Sequence, residues 1–354
     1  MSAIVAMHMP NELLSLPVAA GTVVLAAILV GVAAWRARET LDQATLPLMG
    51  VMGAFVFAAQ MLNFPVLPGV SGHLGGAMLL AVLVGPWAAI LTMTAILIVQ
   101  CLLFADGGLL ALGCNILNIG VVPALLGGGL YKLLRGSGAV SSSRRLYLSA
   151  WLGATVGMLA GAALVPLQVA ASGVLTIPLH TFLSAFLGVH VLIGLAEGAI
   201  TFAVLAYLQR TRPQLLRRGD DAPSLGVTDQ AATDSQAGAA HRPGYAAVLV
   251  SVLGAALLLA GAGVWFASAA DDGLEASLQS ERYNMEEEII HNDASAVARV
   301  DDFQEAITLL PDYGKSRTDS TVNGWLSLAG LLGTVVTLGL VYTVARLLRR
   351  RTAT

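Results

Sequence analysis

Pro86-Trp-Ala-Ala-Ile-Leu-Thr-Met-Thr-Ala-Ile-Leu-Ile-Val-Gln-Cys-Leu-Leu-Phe104 runs for nineteen residues without a charged side chain. At about 1.5 Å of rise per helical residue, that length reaches across the roughly 30 Å hydrocarbon core of a bilayer. Working outward, further apolar runs lie at about 14–35, 46–63, 73–85, 109–131, 146–172, 182–208, 245–268 and 324–345. Together they predict an all-α integral membrane protein with about nine transmembrane helices. Composition agrees: 56% of the 354 residues are hydrophobic and only 12% are charged, where a soluble domain carries about a quarter. The run at 73–85 is too short to span cleanly, and Gly85-Pro86 breaks it from the next. Interrupted helices of this kind surround cavities, because loose backbone in a membrane must be satisfied by protein or water.

The net charge of −3 says little as a total and much as a map. Alternating the spans puts the stretches 36–45, 132–145 and 209–244 and the tail from 346 on one side, and these hold 15 of the 19 basic residues. The other four lie in 269–323, beside 13 acidic residues. The short loops near 64–72, 105–108 and 173–181 hold no Lys or Arg. The positive-inside rule then predicts an extracytoplasmic N-terminus and a cytoplasmic C-terminus. Residues 211–244, rich in Arg, Pro, Asp, Gln, Ala and Gly, read as a cytoplasmic linker. The linker divides a seven-helix domain, 1–210, from a two-helix unit, 245–354, whose extracytoplasmic loop 269–323 is expected to form short docking helices.

Asn63-Phe-Pro-Val-Leu-Pro-Gly-Val-Ser-Gly-His-Leu-Gly-Gly76 places His73 where apolar sequence begins, and Met7-His8-Met9-Pro10 places a second histidine at the N-terminus. An ionisable residue at such a depth is a functional-site hypothesis, and neutral imidazole suits borderline transition metals. The alternative is that His73 caps a helix. His190 and Glu197 are seven apart on one helix, hence nearly on one face. Such a pair could be catalytic, relay protons, or brace two helices, and bracing is favoured. Gly153, Gly157 and Gly161 form a ridge suited to close helix packing. Three further histidines (His180 in an outer loop, His241 in the linker and His291 among acids) have no metal-ligand spacing.

Several chemistries are excluded. No HExxH occurs, against a zincin protease. Gly314-Lys315-Ser316 mimics a P-loop end, but Leu309 stands where the motif needs glycine, so no ATPase is expected in this chain. Cys101 and Cys114 have no CxxC spacing, against a disulfide framework or thiolate site. No Lys or Arg precedes Arg36, so the N-terminus lacks the charged region of a secretory signal. No internal repeat of fixed period is found.

Ser71-Gly-His-Leu-Gly-Gly76, Gly85-Pro-Trp-Ala-Ala89, Gln100 to Asp106-Gly-Gly108 and Ala111-Leu-Gly-Cys-Asn-Ile-Leu-Asn118 resemble the substrate-binding membrane subunit of energy-coupling-factor transporters for cobalt or nickel. The Met7-His8 start and the stretch Gly188 to Thr201 resemble the same family, so the similarity covers about 7–208. Asp271-Asp-Gly-Leu-Glu275 and Leu310-Pro-Asp-Tyr313 resemble the small accessory subunit of such systems in its PDGLE-type form, with Asp in place of the first Pro.

The resemblance implies a substrate-specific component of an ATP-driven importer, multi-pass in the cell membrane and not itself an enzyme. Its partners would be a transmembrane coupling subunit, cytoplasmic ATPase subunits and the lipid bilayer, with no nucleic acid. It implies a transported Ni(II) or Co(II) ion and no other cofactor, and family habit in such fusions favours nickel. The ion would be held by the amine of Met7, the amide and imidazole of His8, and the imidazole of His73. Four nitrogen donors suit square-planar Ni(II) or Cu(II) and discriminate against Mg and Ca. Because Met1–Ala6 precede Met7, a free amine there requires the functional chain to begin at Met7. An amine with a pKa of about 7.7–8.0 also makes binding weaken in acid. Two rivals remain at this stage: an intramembrane metal-dependent enzyme using His190 and Glu197, and a metal sensor without transport.

Overall fold

The computed structural model describes residues 8–136, 143–175, 177–211, 244–268, 270–278, 294–314 and 322–349. Met7, His241, His291 and all but the ends of the linker lie outside them. Every predicted apolar run carries a helix: α1 (Leu16–Ala37), α2 (Thr45–Gln60), α3 (Ala77–Val84) and α4 (Pro86–Phe104) come first. Next, α5 (Leu112–Asn115) continues through π-helical turns at Ile116–Val121 and Pro123–Gly127 into α6 (Gly128–Arg135), followed by α7 (Ser143–Ser172) and α8 (Leu179–Thr211). The accessory unit adds α9 (Tyr245–Gly261), the short α10 (Gly273–Leu278), α11 (Ala294–Ile307) and α12 (Val322–Leu348). Six of these stretches, counting Leu112–Arg135 as one, are long and apolar enough to cross a membrane; α2 and α9 are shorter apolar helices. The eight residues of α3 cannot cross alone, and Gly85, at φ +85°, turns the chain into Pro86 at the start of α4.

Burial explains the arrangement. α4 is mostly inside the protein and α1 mostly outside, so α4 is the central post and α1 lies at the periphery. The glycine ridge on α7 packs as its spacing predicts. A Cβ at Gly153 would stand 2.8 Å from the Gly127 carbonyl oxygen, and one at Gly161 would overlap that of Asn118. The accessory helices do not form a separate body: α9 and α12 both pack on α2. Gly333 of α12 admits the ring of Phe57, whose centroid lies 5.9 Å from that of Phe104.

Two expectations need correction. The loop 64–72 is not plain loop but an antiparallel hairpin, β1 (Phe64–Leu67) with β2 (Val70–Gly72), pairing Phe64 with Gly72 and Leu67 with Val70. Pro68 and Gly69, the latter at φ +77°, supply the i+1 and i+2 residues that a type II turn requires. A β-branched or Pro-containing segment this short carries no alternation strong enough to announce a strand. His180, expected in a loop, stands in the first turn of α8, because the helix begins before the apolar run does.

Candidate metal centre

One end of the bundle gathers the N-terminal segment, the hairpin, the loop 105–111 and the accessory segments 270–278 and 294–314. His8 is placed there by its neighbours. The Asn115 side chain clasps Met9 twice, its Oδ1 accepting the Met9 N–H at 3.1 Å and its Nδ2 donating to the Met9 carbonyl at 3.2 Å. The Gly108 N–H donates to the same carbonyl at 3.0 Å. Gly107 and Gly108 allow this approach: a Cβ at Gly107 would come within 2.9 Å of the His8 Cβ, and one at Gly108 would overlap Asn11. The Asp106-Gly-Gly sequence is therefore an acid followed by the backbone gap that admits the N-terminus.

His8 is 2% exposed. Its Nδ1 lies 2.9 Å from Asp106 Oδ1, and the hydroxyl of Tyr313 donates to Asp106 Oδ2 at 2.5 Å. Its Nε2 is buried and has no hydrogen-bond partner. The His73 ring stands with its centroid 5.3 Å from that of His8, tilted by 52°. Burial works to lower the His8 pKa, but the charge and hydrogen bond of Asp106, helped by Asp272, together outweigh it and raise the imidazole above its ordinary value. Burial likewise works to raise Asp106, and His8, Tyr313 and His73 together hold its carboxyl below the usual carboxylate range.

His73 sits between β2 and α3, on a turn held from two sides. The carboxyl of Glu197 on α8 accepts the N–H groups of Gly75 at 3.2 Å and Gly76 at 3.0 Å. Gln60 donates to the Gly75 carbonyl at 2.9 Å and accepts from Gln100 at 3.0 Å. Glycine is required here: a Cβ at Gly75 would meet Glu197 at 2.8 Å, and Gly76 stands at φ +80°. Glu197 therefore braces the His73 turn. His190 donates from Nδ1 to the Phe186 carbonyl at 2.8 Å, so each member of this pair bonds to backbone. Both line a cavity of about 80 Å³ together with His8, His73, Asn118 and Asp272.

Sequence reasoning marked Leu310–Tyr313 only as an accessory-subunit motif and gave Gln304 no role, yet Gln304 and Tyr313 both complete this end. Gln304 of α11, buried, donates to the Gly107 carbonyl at 2.8 Å and accepts from the Leu109 N–H at 2.9 Å and from Asn11 at 3.2 Å. Tyr313 stacks on Phe104 with centroids 4.7 Å apart. The docking loop therefore reaches the residue that holds His8. The usable signal was Asp106 itself, a lone acid in an uncharged short loop between apolar helices. Among the described residues, no three His, Cys, Asp or Glu side chains stand grouped as a ready metal chelate.

A multi-pass membrane bundle with two adjacent histidines at one end is the frame of a metal-ion transport component, and relatives of this chain agree. Residues 8–215 match the model of the CbiM family, the cobalt uptake substrate-specific transmembrane region, and residues 246–350 match the PDGLE domain. The chain belongs to the CbiM family, joined in one polypeptide to a PDGLE unit. A protein of Haloquadratum walsbyi named for metal transport is 37% identical over 211 residues, 59% of this chain and 93% of its own length. The fused nickel transport protein NikMN of Rhodobacter capsulatus is 34% identical over 232 residues, 61% of this chain and 66% of its own. A solved structure of a truncated transition metal transporter matches with TM-score 0.51 at 31% identity, covering 57% of this chain and 98% of that one. The protein is thus a component of nickel or cobalt transport, a transporter subunit and not an enzyme.

Proposed function

We propose that this chain is the substrate-specific membrane component of an ATP-driven importer of the energy-coupling-factor type, taking Ni(II) in preference to Co(II). The observation that carries the reading is the pair of imidazoles itself: the buried His8 ring, only one of whose nitrogens has a partner, stands with its centroid 5.3 Å from that of His73, at an end of the bundle closed by the accessory loop. The proposed donors are main-chain nitrogen of Met7 and His8 with the imidazoles of His8 and His73. A chelate through the His8 amide uses that residue's own Nδ1, because Nε2 cannot fold back to its own backbone. Binding therefore involves a turn of the ring that releases Nδ1 from Asp106 and presents Nε2 to it, a carboxylate support of the kind that metal-bound histidines receive. Nickel is favoured because four nitrogens suit its square-planar preference, and because similar fused relatives are named for nickel transport.

ATP hydrolysis would be supplied by cytoplasmic ATPase subunits through a separate membrane coupling subunit. The N-terminus and the 269–323 loop would face outward, with the basic loops in the cytoplasm, as the positive-inside rule supports. No observation favours the enzyme reading, since His190 and Glu197 are engaged with backbone instead of each other. The test is His73→Ala in the full chain. Metal-dependent uptake should fall severely while the protein still inserts in the membrane. Uptake of both ions at the parent level would remove His73 from the site.

A further inference from the structure

One wall of the histidine cavity belongs to the accessory unit. The Asp272-Gly-Leu-Glu275 stretch that forms it has a mechanical reason for nearly every group. Asp272 Oδ1 accepts the N–H groups of Leu274 and Glu275, both at 2.8 Å, and Glu275 Oε2 accepts the Asp272 N–H at 3.3 Å. That reciprocal pair is a capping box, which starts α10. Gly273 lets α10 press against α8, since a Cβ there would stand 2.9 Å from His190 Cε1. The segment is fixed to the hairpin just before His73: Ser71 N–H donates to the Asp271 carbonyl at 2.7 Å, and the Ser71 hydroxyl donates to that of Ala270 at 2.8 Å.

One group is left over. Both described hydrogen bonds of the Asp272 carboxylate end on Oδ1, in a residue only 6% exposed that lines the cavity. The other two acids facing this region are occupied: Asp106 by His8 and Tyr313, and Glu197 by two backbone N–H groups. A second, independent observation lies in the same cavity: the His8 imidazole lines it and is buried, with its Nε2 lacking a hydrogen-bond partner.

We propose that the carboxylate of Asp272 is a separate station for the incoming divalent ion, holding hydrated Ni(II) or Co(II) in the cavity before it reaches His8 and His73. This rests on the reading of the cavity as the metal-capture site. One carboxylate oxygen with water is a weak, exchangeable donor set, suited to arrival more than to retention, and a negative charge in a low-dielectric cleft concentrates cations. Because Asp272 does not join the histidines in a ready chelate, its contribution falls on the rate of capture more than on the final affinity. On this account the ion path is composite: one domain supplies the nitrogens and the other supplies the charge that draws the ion in.

The experiment uses the full chain purified in detergent, with NiCl2 and CoCl2 as probes, stopped-flow kinetics for capture and a thermal midpoint for the fold. Asparagine caps helices as well as aspartate does, so Asp272→Asn keeps every backbone bond and removes only the charge. It should slow capture of both ions at least tenfold with an unchanged midpoint, whereas Asp272→Ala should slow capture and also lower the midpoint. Capture by Asp272→Asn at the parent rate would overturn the proposal. So would a lowered midpoint in that variant, which would make the charge a structural one. His73→Ala run in parallel separates the failures. If it loses binding while Asp272→Asn does not change, Asp272 alone is wrong. If it binds like the parent, the reading of the cavity falls and takes this proposal with it.

Discussion

Glu197→Gln separates the two uses a buried carboxyl could have in this membrane. The side chain is buried on α8 and holds the turn that carries His73 through Gly75 N–H at 3.2 Å and Gly76 N–H at 3.0 Å. Glutamine has the same shape but one oxygen, so one of those donors would face an amide NH2 in place of an acceptor. A buried N–H left unsatisfied costs about 1–3 kcal/mol. If that cost falls on the metal-bound form, in which the turn must be fixed, each 1.4 kcal/mol is about a factor of ten in affinity. The expected weakening of Ni(II) binding is thus roughly 5- to 150-fold, which overlaps the usual effect of removing a group that orients a metal ligand. Calorimetric titration of the purified full chain with NiCl2 measures it. A dissociation constant within twofold of the parent would refute the reasoning. Loss of a hydrolytic activity with uptake intact would revive the enzyme alternative.

Two further outcomes follow from the docked loop. Gln304→Ala removes the bonds at 2.8 Å to the Gly107 carbonyl and at 2.9 Å from the Leu109 N–H; at about 1 kcal/mol each, docking of α11 should weaken by about 2 kcal/mol. Limited proteolysis within 294–314 should then quicken, and unchanged cleavage would mean that the loop is held elsewhere. For orientation, Glu305→Cys, exposed on α11, should react with an impermeant thiol reagent added to intact cells, while Glu39→Cys should react only after permeabilisation. The native Cys101 and Cys114 are both buried and give a low background; the reverse labelling pattern would invert the topology.

What the sequence by itself determined is the part set by one-dimensional chemistry. Long uncharged runs must become helices in a bilayer, because no other local structure satisfies its own backbone there, and every run that was read carries a helix. The break at Gly85-Pro86 and the ridge at Gly153, Gly157 and Gly161 were legible for the same reason, since glycine and proline act on the chain locally. His8 and His73 stood out because ionisable residues are costly at the edge of apolar sequence. Only the tertiary structure decided what those histidines touch. Asp106 is 98 positions from His8, and Tyr313 is 207 from Asp106. Neither spacing belongs to any local period, so no pattern along the chain could pair them. The accessory loop reads from composition as a polar, acidic segment of short docking helices, with nothing to say what they dock on. Its Gln304, Tyr313 and Asp272 find their partners only after α9 and α12 pack on α2 and bring the loop over the capture end. A bracing role for Glu197 was legible, but the turn it braces and the hairpin were not: a carboxyl that caps a distant turn and a strand pair of three to four residues are products of packing, which decides where each chemically legible residue finds its partner.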